Sequence, residues 1–366
     1  MLDLMEHTSD DAFDDNVEVP VPLETLGIDQ LKLSGTSLIL RDFDKKYIYK
    51  VIKLHSATEA LFYSIAYRIY PPNVDDLRVN NINSTTFNNL SYLVEQEMIP
   101  QFYGITTISR NDYSWYELGK NATKNDNIYR AIKLENLLRD FDNPGIIDIK
   151  LGSHNFNYNT NYGEIDDHLK LKCIDTYREM KHKYRDSVSN NRPFDYQLDL
   201  NASELGLPES YKSLDANTLQ SVFKSWRQKQ VALETTEQEL GFRISSIYFE
   251  LPNKKYLITS TQAKQLNKSE TVNILKHIFN QNQYEMFNTK FIDFLNRLKS
   301  WILLQTSISI VASSILIIFD QNDLQHYKIK WIDFTHINHN SMNEDNSNMI
   351  KGINNLIGIV ENGEPW

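Results

Sequence analysis

Apolar and polar residues alternate over Leu31–Leu54, and this pattern predicts a pair of antiparallel strands. A helical pattern follows, in which Ser56 and Glu59 have capping-box spacing. An apolar stripe continues this helix from Ala60 to Tyr67 and ends before the Pro71-Pro72 pair. The first ordered unit is therefore expected to combine strands with a helix.

Strand patterns return after Asn80–Asn89, a stretch rich in Asn and Ser that predicts a surface loop. A helix and the strand Ile99–Ile108 come next, and Tyr129–Leu138 and Gly145–Gly152 predict two strands on either side of a turn at Asn143. In the second half we expect helices at Ser221–Leu240, Ser269–Phe279 and Asn348–Val360, and strands at Ser313–Asp320 and Tyr327–His336.

The uncharged stretch Trp301–Phe319 is long enough to raise the question of a membrane span. It contains Gln305 and several Ser and Thr residues, and β-branched residues alternate in its second half. This pattern favours the end of a helix followed by a buried strand.

Composition narrows the class of protein. The chain has 366 residues, 41% of them hydrophobic, which is enough for one large two-lobed domain or two smaller ones. The single cysteine, Cys173, excludes an internal disulfide framework and fits a reducing compartment. A net charge of −10 argues against broad nucleic-acid binding, so an anionic ligand must meet local basic clusters.

Several charged residues in or next to the predicted strands are candidates for chemistry. Alternation places Asp148 and Lys150 on one face of their strand, where they form either a cleft pair or an ordinary surface ion pair. The same alternation places Asp333 beside Trp331 and Ile329 in a strand that is otherwise apolar, and its role is either to bind Mg²⁺ on nucleotide phosphates or to form a helix cap or a buried ion pair. Lys53 and Glu59 resemble the lysine–glutamate pair of kinases, although Glu59 also fits a simple capping role.

Two clusters are basic within this acidic chain. Periodicity is weak over Asn155–Gly206, but Arg178, Lys181, His182 and Arg185 share a face if this part is helical. Lys224 and Arg227 form the second cluster. Each cluster suits a ligand with several phosphates, or is a solvated face.

Two other classes of protein are disfavoured by missing motifs. The chain has no His-Arg-Asp, Asp-Phe-Gly or Gly-x-Gly-x-x-Gly motif, which argues against a protein kinase. The absence of the same glycine motif argues against a Rossmann oxidoreductase.

Taken in their order along the chain, these predicted elements and charged residues resemble the inositol polyphosphate kinase family. The hallmark of that family is the motif Pro-x-x-x-Asp-x-Lys-x-Gly. Here that motif consists of Pro144, Asp148, Lys150 and Gly152. Further blocks in the family's order are KLHSATEALFY, IPQFYG, LGFRIS, ASSILIIFD, WIDFTH and NSNMIKGINNLIGIV. The resemblance runs from Lys53 to the C-terminus and is strongest to the fungal multikinases.

The resemblance implies an α+β, two-lobed kinase-like fold with a small β-rich N-lobe and a larger α/β C-lobe. The expected parts are an acidic disordered tail at 1–22, the N-lobe at 23–134, the hinge at 135–138 and the C-lobe at 139–366. The C-lobe is expected to include a helical insertion for inositol phosphates at about 155–240.

Roles follow residue by residue from the same resemblance. It implies that the backbone of Glu135 and Leu137 meets the adenine of ATP, that Asp148 binds the ribose and that Lys53 contacts the nucleotide phosphates. Ser314, with Ser313 as a second candidate, and Asp333 are expected to hold Mg²⁺. The expected catalytic residues are Lys150, Asp148 and Asp333, and the expected substrate residues are Lys150, Arg178, Lys181, Lys224 and Arg227.

The implied activity is that of an ATP- and Mg²⁺-dependent inositol polyphosphate multikinase acting on inositol tris- and tetrakisphosphate. Two alternatives stay open: a hexakisphosphate kinase that makes pyrophosphates, and a weakly catalytic scaffold or transcriptional cofactor. About fifty extra residues before Gly241 leave the substrate helix at Lys170–Arg185 or at Ser221–Gln230, and Ser246 stands where relatives usually carry glycine. Transcription-regulator partners, and residence in nucleus and cytoplasm, are expected by resemblance; direct nucleic-acid binding and a membrane span are not.

Overall fold

The computed structural model describes residues 21–25, 39–42, 44–52, 57–69, 84–109, 114–116, 128–153, 165–187, 200–251, 254–279, 285–305, 308–339 and 344–365. Its small lobe contains six strands, β1 (Val21–Thr25), β2 (Ile39–Asp42), β3 (Tyr47–Val51), β4 (Phe102–Ser109), β5 (Ser114–Tyr116) and β6 (Ile128–Glu135). They close an antiparallel barrel in the order β1-β2-β3-β6-β4-β5. Two helices accompany this barrel, α1 (Ala57–Tyr67) and α2 (Ser84–Glu95).

The large lobe is built on an antiparallel sheet in the order β12-β11-β7-β8-β9. Its strands are β7 (Pro144–Leu151), β8 (Phe242–Leu251), β9 (Lys254–Ile258), β11 (Ser314–Asp320) and β12 (Tyr327–Ile332). A separate pair consists of β10 (Ile308–Val311) and β13 (His336–His339). The helices are α3 (Asp167–Ser187), α4 (Ala216–Glu234), α5 (Thr236–Leu240), α6 (Ser260–Ala263), α7 (Lys268–Phe279), α8 (Glu285–Leu304) and α9 (Glu344–Asn362). The predicted two-lobed α+β fold class is confirmed.

One apolar core runs through both lobes. It joins side chains of α1 and β4 to the large sheet and to α7, α8 and α9. Phe334, which is 0% exposed, contributes from the large lobe and stacks on Phe62 of α1 at a centroid distance of 4.0 Å. The lobes are therefore fixed to one another by packing, and not only by the chain that connects them.

A second, smaller core lies within the predicted insertion. Cys173 and Tyr177 of α3 are buried with Leu219 and Phe223 of α4, and the rings of Tyr177 and Phe223 stack at 5.5 Å. Periodicity was weak here because only one narrow stripe of α3 is buried and the rest of the helix is polar. The insertion therefore forms its own packed unit, and Cys173 is a buried structural thiol.

Several predicted boundaries need correction. The loop predicted at Asn80–Asn89 is helical from Ser84, because Leu90 and Leu93 are buried in the core and tertiary packing outweighs the local loop composition. The helix predicted at Ser221–Leu240 is two helices, because Thr235 caps a new one. β1 begins at Val21, inside the predicted acidic tail, and the rest of that tail lies outside the described residues.

The uncharged stretch forms the end of α8, then β10 and most of β11, as predicted. Among the described residues, none of the helices combines the length and the apolar character that crossing a membrane requires.

Helix α9 is held against the junction of α5 and β8 by a close backbone contact. Gly241 ends α5 with φ of 71°, and its carbonyl accepts a hydrogen bond from Gly152 N–H at 2.8 Å. A Cβ on Gly241 would lie 2.5 Å from the amide nitrogen of Gly352, and a Cβ on Gly352 would overlap the Gly241 carbonyl. Asn355 adds a hydrogen bond to the carbonyl of Leu240 at 2.8 Å. The family motif glycine Gly152 is thereby tied to α9.

Replacing Gly352 with Ala should destabilise the protein by at least about 1–3 kcal/mol, because the methyl group meets fixed backbone. In an unhindered helix the same change stabilises by up to about 1 kcal/mol. The sign of the change in unfolding free energy therefore shows whether the close contact exists. Urea unfolding of G352A, with the exposed α9 variant Glu361→Ala as control, measures it. Equal stability of G352A and wild type would contradict the close contact.

Candidate active site

A buried ion cluster joins the two lobes. Lys50, on β3, donates from Nζ to Oε1 of Glu59 at 2.9 Å and to Oδ1 of Asp333 at 2.7 Å. Its Nζ also lies 2.8 Å from Oε2 of Glu59, and the hydroxyl of Thr335 donates to that oxygen at 3.2 Å. Both oxygens of the Glu59 carboxylate therefore have partners, and Oε2 is contacted by Lys50 of the small lobe and by Thr335 of the large lobe.

The charges in this cluster are strongly coupled. Burial opposes the charge of Lys50, but the carboxylates of Asp333 and Glu59 outweigh it and raise the pKa of Lys50. Burial raises the pKa of Glu59, against the effect of Lys50. Partial burial also opposes ionisation of Asp333, whose side chain is 38% exposed, yet Lys50 more than compensates and the pKa of Asp333 is lowered. Lys50 is held as an ammonium, and Asp333 is the more readily ionised carboxyl.

Asp333 has an unusual backbone conformation, with φ of 65° directly after β12. Its neighbours impose it. Trp331 and Phe334 are each 0% exposed, and the Trp331 indole donates to the hydroxyl of Ser313 at 2.8 Å. The Asp333 side chain nevertheless remains 38% exposed, so the turn brings this carboxylate out of an apolar strand. Backbone strain of this kind is concentrated at functional sites.

Asp148 and Lys150 lie on one face of β7, as predicted. The residues of the opposite face are 0% exposed, namely Ile147, Ile149 and Leu151. Across the sheet, Ser314 of β11 is paired with Lys150 on one side and with Ile332, the residue before Asp333, on the other. Directly paired residues of antiparallel strands project to the same face. Asp148, Lys150 and Ser314 therefore share a face, and Lys150 is close enough to Asp333 to affect its pKa.

A second buried ion cluster surrounds Lys150. Glu237 of α5 is 0% exposed, and its Oε1 accepts a hydrogen bond from Nε of Arg243 at 2.6 Å. The same oxygen lies 3.9 Å from Nζ of Lys150, whose side chain is 13% exposed. Burial lowers the pKa of Lys150, while Glu237 acts in the opposite direction. Arg243 pairs with Lys150 in the β7–β8 register, so both cations lie on the Asp148 face.

The predicted hinge follows β6. The N–H of Glu135 donates to the carbonyl of Gln101 at 2.9 Å, and the N–H of Leu138 donates to Oδ1 of Asn136 at 3.2 Å. Between them, the N–H of Leu137 has no acceptor among the described residues. This segment therefore offers a backbone donor next to a fixed strand end.

The hinge is backed by an apolar cluster and by a lysine. Buried members of the cluster are Leu137, Phe141, Ile146 and Ile318. Leu316 packs against it, is only partly buried, and lies opposite Asp148 on β11. On the next strand Lys330 donates to the carbonyl of Glu97 at 2.7 Å and lies 4.0 Å from the Glu135 carboxylate. A flat apolar group would thus find a floor at Leu316, beside the hinge.

Basic groups from the insertion approach the same side of the large lobe. Nζ of Lys224, on α4, lies 3.4 Å from Nε2 of His336, three residues beyond Asp333. Lys264, just after α6, has its pKa lowered by burial and then by the charges of Arg243, Arg227 and Arg178. The cations of α3, α4, β8 and α6 therefore converge into one basic region.

A family model described as inositol polyphosphate kinase matches residues 131–361, more than half of the chain. The chain belongs to this family. It is therefore a kinase of the inositol polyphosphate class, and the cleft with its ion clusters is its candidate active site.

Other comparisons add context. None of the curated proteins matches the chain. Among solved structures, the inositol phosphate multikinase Ipk2 of S. cerevisiae, in complex with ADP and Mn²⁺, is 16% identical, with 86% of this chain and 98% of that chain covered and a TM-score of 0.47. A structure from studies of an inositol phosphate multikinase is 14% identical, with coverages of 73% and 90% and a TM-score of 0.41. Neither TM-score reaches 0.5, and the family assignment rests on the family model.

The predicted kinase residues are only partly brought together. Asp148, Lys150 and Ser314 share one face of the large sheet, and Lys150 and Asp333 are close enough for their charges to affect one another. Ser313 and Ser314 are both buried, but the Ser313 hydroxyl accepts a hydrogen bond from the Trp331 indole, so Ser314 is the better placed candidate. Of the basic candidates, Arg227 and Arg178 are close enough to act on the charge of Lys264, although Arg178 also pairs with Asp175 at 2.9 Å. Lys224 lies beside His336, and Lys181 lies with Nζ 5.8 Å from the Tyr177 ring centroid on α3.

The structure pairs Glu59 with Lys50, a contact that the spacing did not indicate, while the predicted contact of Glu59 with Lys53 stays a prediction. Lys53 and the predicted cap Ser56 lie outside the described residues. Sequence reasoning missed Lys50 because it is one of several polar residues in an alternating strand. It also missed Glu237, Arg243, Lys264 and His336; of these, Arg243 and His336 lie within the motif blocks LGFRIS and WIDFTH that carried the resemblance.

Replacing Lys50 with Met should lower the free energy of unfolding by about 3–5 kcal/mol, because Glu59 would remain buried without a counter-charge. As a control, Lys212→Met removes a surface ion pair with Glu209 and should cost at most about 1 kcal/mol. Urea unfolding followed by circular dichroism measures both. A K50M loss as small as that of K212M would show that the cluster does not hold the lobes together.

Proposed function

We propose that this chain is an ATP-dependent inositol polyphosphate multikinase that phosphorylates hydroxyls of inositol tris- and tetrakisphosphate. The observation that carries the proposal is that Asp148, Lys150 and Ser314 share one face of the large sheet, while Asp333 is close enough to act on the charge of Lys150 and Lys50 is fixed by Glu59 on the small-lobe side. Basic groups of the insertion lie near the same face.

The nucleotide site is assigned to the hinge and the strands beneath it. The carbonyl of Glu135 and the N–H of Leu137 would pair with the adenine edge, and the partly exposed Leu316 would support its face. Asp148, which lies opposite Leu316, would accept hydrogen bonds from the ribose hydroxyls. The adenine, the ribose and the phosphates would thus lie one after another from the hinge towards the two ion clusters.

The residues present fit a divalent cation. Asp333 supplies carboxylate oxygens and Ser314 a hydroxyl, which are hard-oxygen ligands of the kind that Mg²⁺ takes together with phosphates and waters. The Lys50 ammonium already lies on Oδ1 of Asp333, so this carboxylate is arranged to face positive charge. When bound, Mg²⁺ neutralises charge on the nucleotide phosphates.

Transfer is direct in this proposal. An inositol hydroxyl oxygen forms the new bond to the γ-phosphorus, the bond to the bridging oxygen of ADP breaks, and the hydroxyl proton is released. Lys150 supplies positive charge to the moving group, while Lys50 holds Asp333 in place from the small-lobe side. Positioning and charge neutralisation of this kind supply most of the catalysis of phosphoryl transfer. Asp148 positions the nucleotide and is not assigned as a base.

The substrate class follows from the basic region. Cations contributed by four separate elements can each meet a different phosphate, which favours a small ligand carrying several of them. The multikinase specificity, possible transcription-regulator partners, and residence in nucleus and cytoplasm are parts of the proposal that rest on resemblance alone.

Replacing Lys150 with Ala should abolish turnover, a loss of at least about a hundredfold, because charge neutralisation at the transferred phosphoryl group is removed. Binding of ADP with Mg²⁺, measured by calorimetry, should change by less than about threefold. Loss of nucleotide binding to the same extent as turnover would contradict the role assigned to Lys150. The exposed α9 residue Lys351, which bonds the carbonyl of Gln238 at 3.0 Å, supplies the control variant Lys351→Ala.

A substrate panel tests the specificity. The purified protein is incubated with Mg-ATP and inositol tris-, tetrakis-, pentakis- or hexakisphosphate, and products are resolved by anion exchange. We expect product from the tris- and tetrakisphosphates. Turnover of the hexakisphosphate alone would replace the multikinase with a pyrophosphate-forming kinase, and no turnover of any of them would support a scaffold.

A further inference from the structure

Glu237 is a buried carboxylate that the proposed transfer does not use. It lies on α5, which is capped by Thr235 at its start and by Gly241 at its end, and its residue exposure is 0%. The helix is therefore short but fixed at both ends, and Glu237 has no freedom to reach solvent. A buried carboxylate is retained only when cations balance it.

The cations that balance Glu237 are two residues of the cleft face. Oε1 accepts a hydrogen bond from Arg243 Nε at 2.6 Å and lies 3.9 Å from Lys150 Nζ. Oε2 is buried and has no hydrogen-bond donor among the described residues. The negative charge on Oε2 is therefore not stabilised by a hydrogen bond. In this buried place the carboxylate attracts the Lys150 ammonium with little screening by solvent.

We propose that Glu237 is a positioning residue for phosphoryl transfer, which keeps Lys150 charged and directed at the cleft while Arg243 fixes the carboxylate. The proposal rests on the role of Lys150 in the proposed function. It assigns Glu237 a task beyond that of a structural counter-ion for Arg243.

Lys150 needs such a partner because it lies beside another cation in a largely buried place. Its side chain is 13% exposed, and Arg243 is its direct partner across the β7–β8 ladder. Glu237 lies within ion-pair distance of Lys150, at 3.9 Å, and its charge opposes the effects of burial and of Arg243 on the ammonium. A neutral amine at 150 would offer no positive charge to a phosphoryl group, so loss of Glu237 should reduce transfer through Lys150 and not through the nucleotide.

The test compares Glu237→Gln with Glu239→Gln in the full chain. The Gln side chain keeps the shape and an acceptor for Arg243 but removes the charge. Glu239 lies on the same helix, is exposed, and pairs with Lys268 at 2.8 Å, so it is a matched control. Thermal melting confirms that each variant is folded before it is used.

The first readout needs no substrate. Trace acetylation with acetic anhydride, followed by mass spectrometry of the Lys150 peptide, reports how readily that amine loses its proton. At pH 8, Lys150 should be acetylated about tenfold faster in E237Q than in wild type, because an opposite charge within about 4–6 Å has been removed. E239Q should match wild type.

The second readout is the pH profile of turnover. In E237Q the alkaline fall of kcat should begin at lower pH, while the KM for ATP stays within about twofold, because the nucleotide contacts are untouched. Glu237→Asp retains the charge and should restore slow acetylation and most of the profile, which also covers the case in which E237Q does not fold.

Unchanged acetylation of Lys150 in a folded E237Q, or equally fast acetylation in E237D, would overturn the coupling and leave Glu237 as a counter-ion of Arg243. Absence of turnover by the wild-type protein is a different failure. It would overturn the proposed function and the catalytic part of this inference, whereas the acetylation result would still decide whether Glu237 controls Lys150.

Discussion

A buried ammonium shared by carboxylates of both lobes is the interaction on which this structure depends. Lys50 comes from the barrel and Asp333 from the large lobe, while Glu59 comes from the helix between them in the chain. Burying such charges costs more than a single ion pair returns, so the cluster is worth keeping only if its geometry is close to ideal. The short contacts of Lys50, and the hydrogen bond from the Thr335 hydroxyl to Oε2 of Glu59, meet that condition. The relative position of the lobes and the position of the acidic group in the cleft are thus set together.

The two ion clusters have opposite excess charge. Around Lys50, two carboxylates meet one ammonium, which leaves a negative excess that suits a cation. Around Glu237, the cations Arg243 and Lys150 meet one carboxylate, which leaves a positive excess that suits an anion. Asp333 and Lys150 are the members that are close enough for the charge of each to affect the pKa of the other. A metal-bound phosphate chain has both kinds of charge, and the cleft is complementary to both.

Much of this could be predicted from the sequence, because alternation is a local property. The shared face of Asp148 and Lys150 follows from periodicity alone. The same alternation predicted that the strand continues through Asp333 to His336, whereas it ends at Ile332 and Asp333 has a left-handed backbone conformation. The contact between Glu59 and Lys50 does not follow from periodicity, since it depends on how far α1 is displaced along β3. Glu237 and Lys264 come from segments distant in sequence whose approach to Lys150 is fixed only by the sheet order and by α5.

An acidic chain can bind a polyanion because charges act locally. At physiological ionic strength, surface charges are screened beyond about 8 Å, so a net charge of −10 spread over the molecule contributes little inside the cleft. The buried clusters are screened less, and their orientation is fixed by backbone that cannot relax. The carbonyl of Gly241 accepts a hydrogen bond from Gly152, and Gly352 of α9 packs against Gly241. These contacts hold the ends of β7 and β8 together, and with them the pairing of Lys150 with Arg243. The positive face of the site is therefore maintained by close backbone packing and not by the overall charge of the protein.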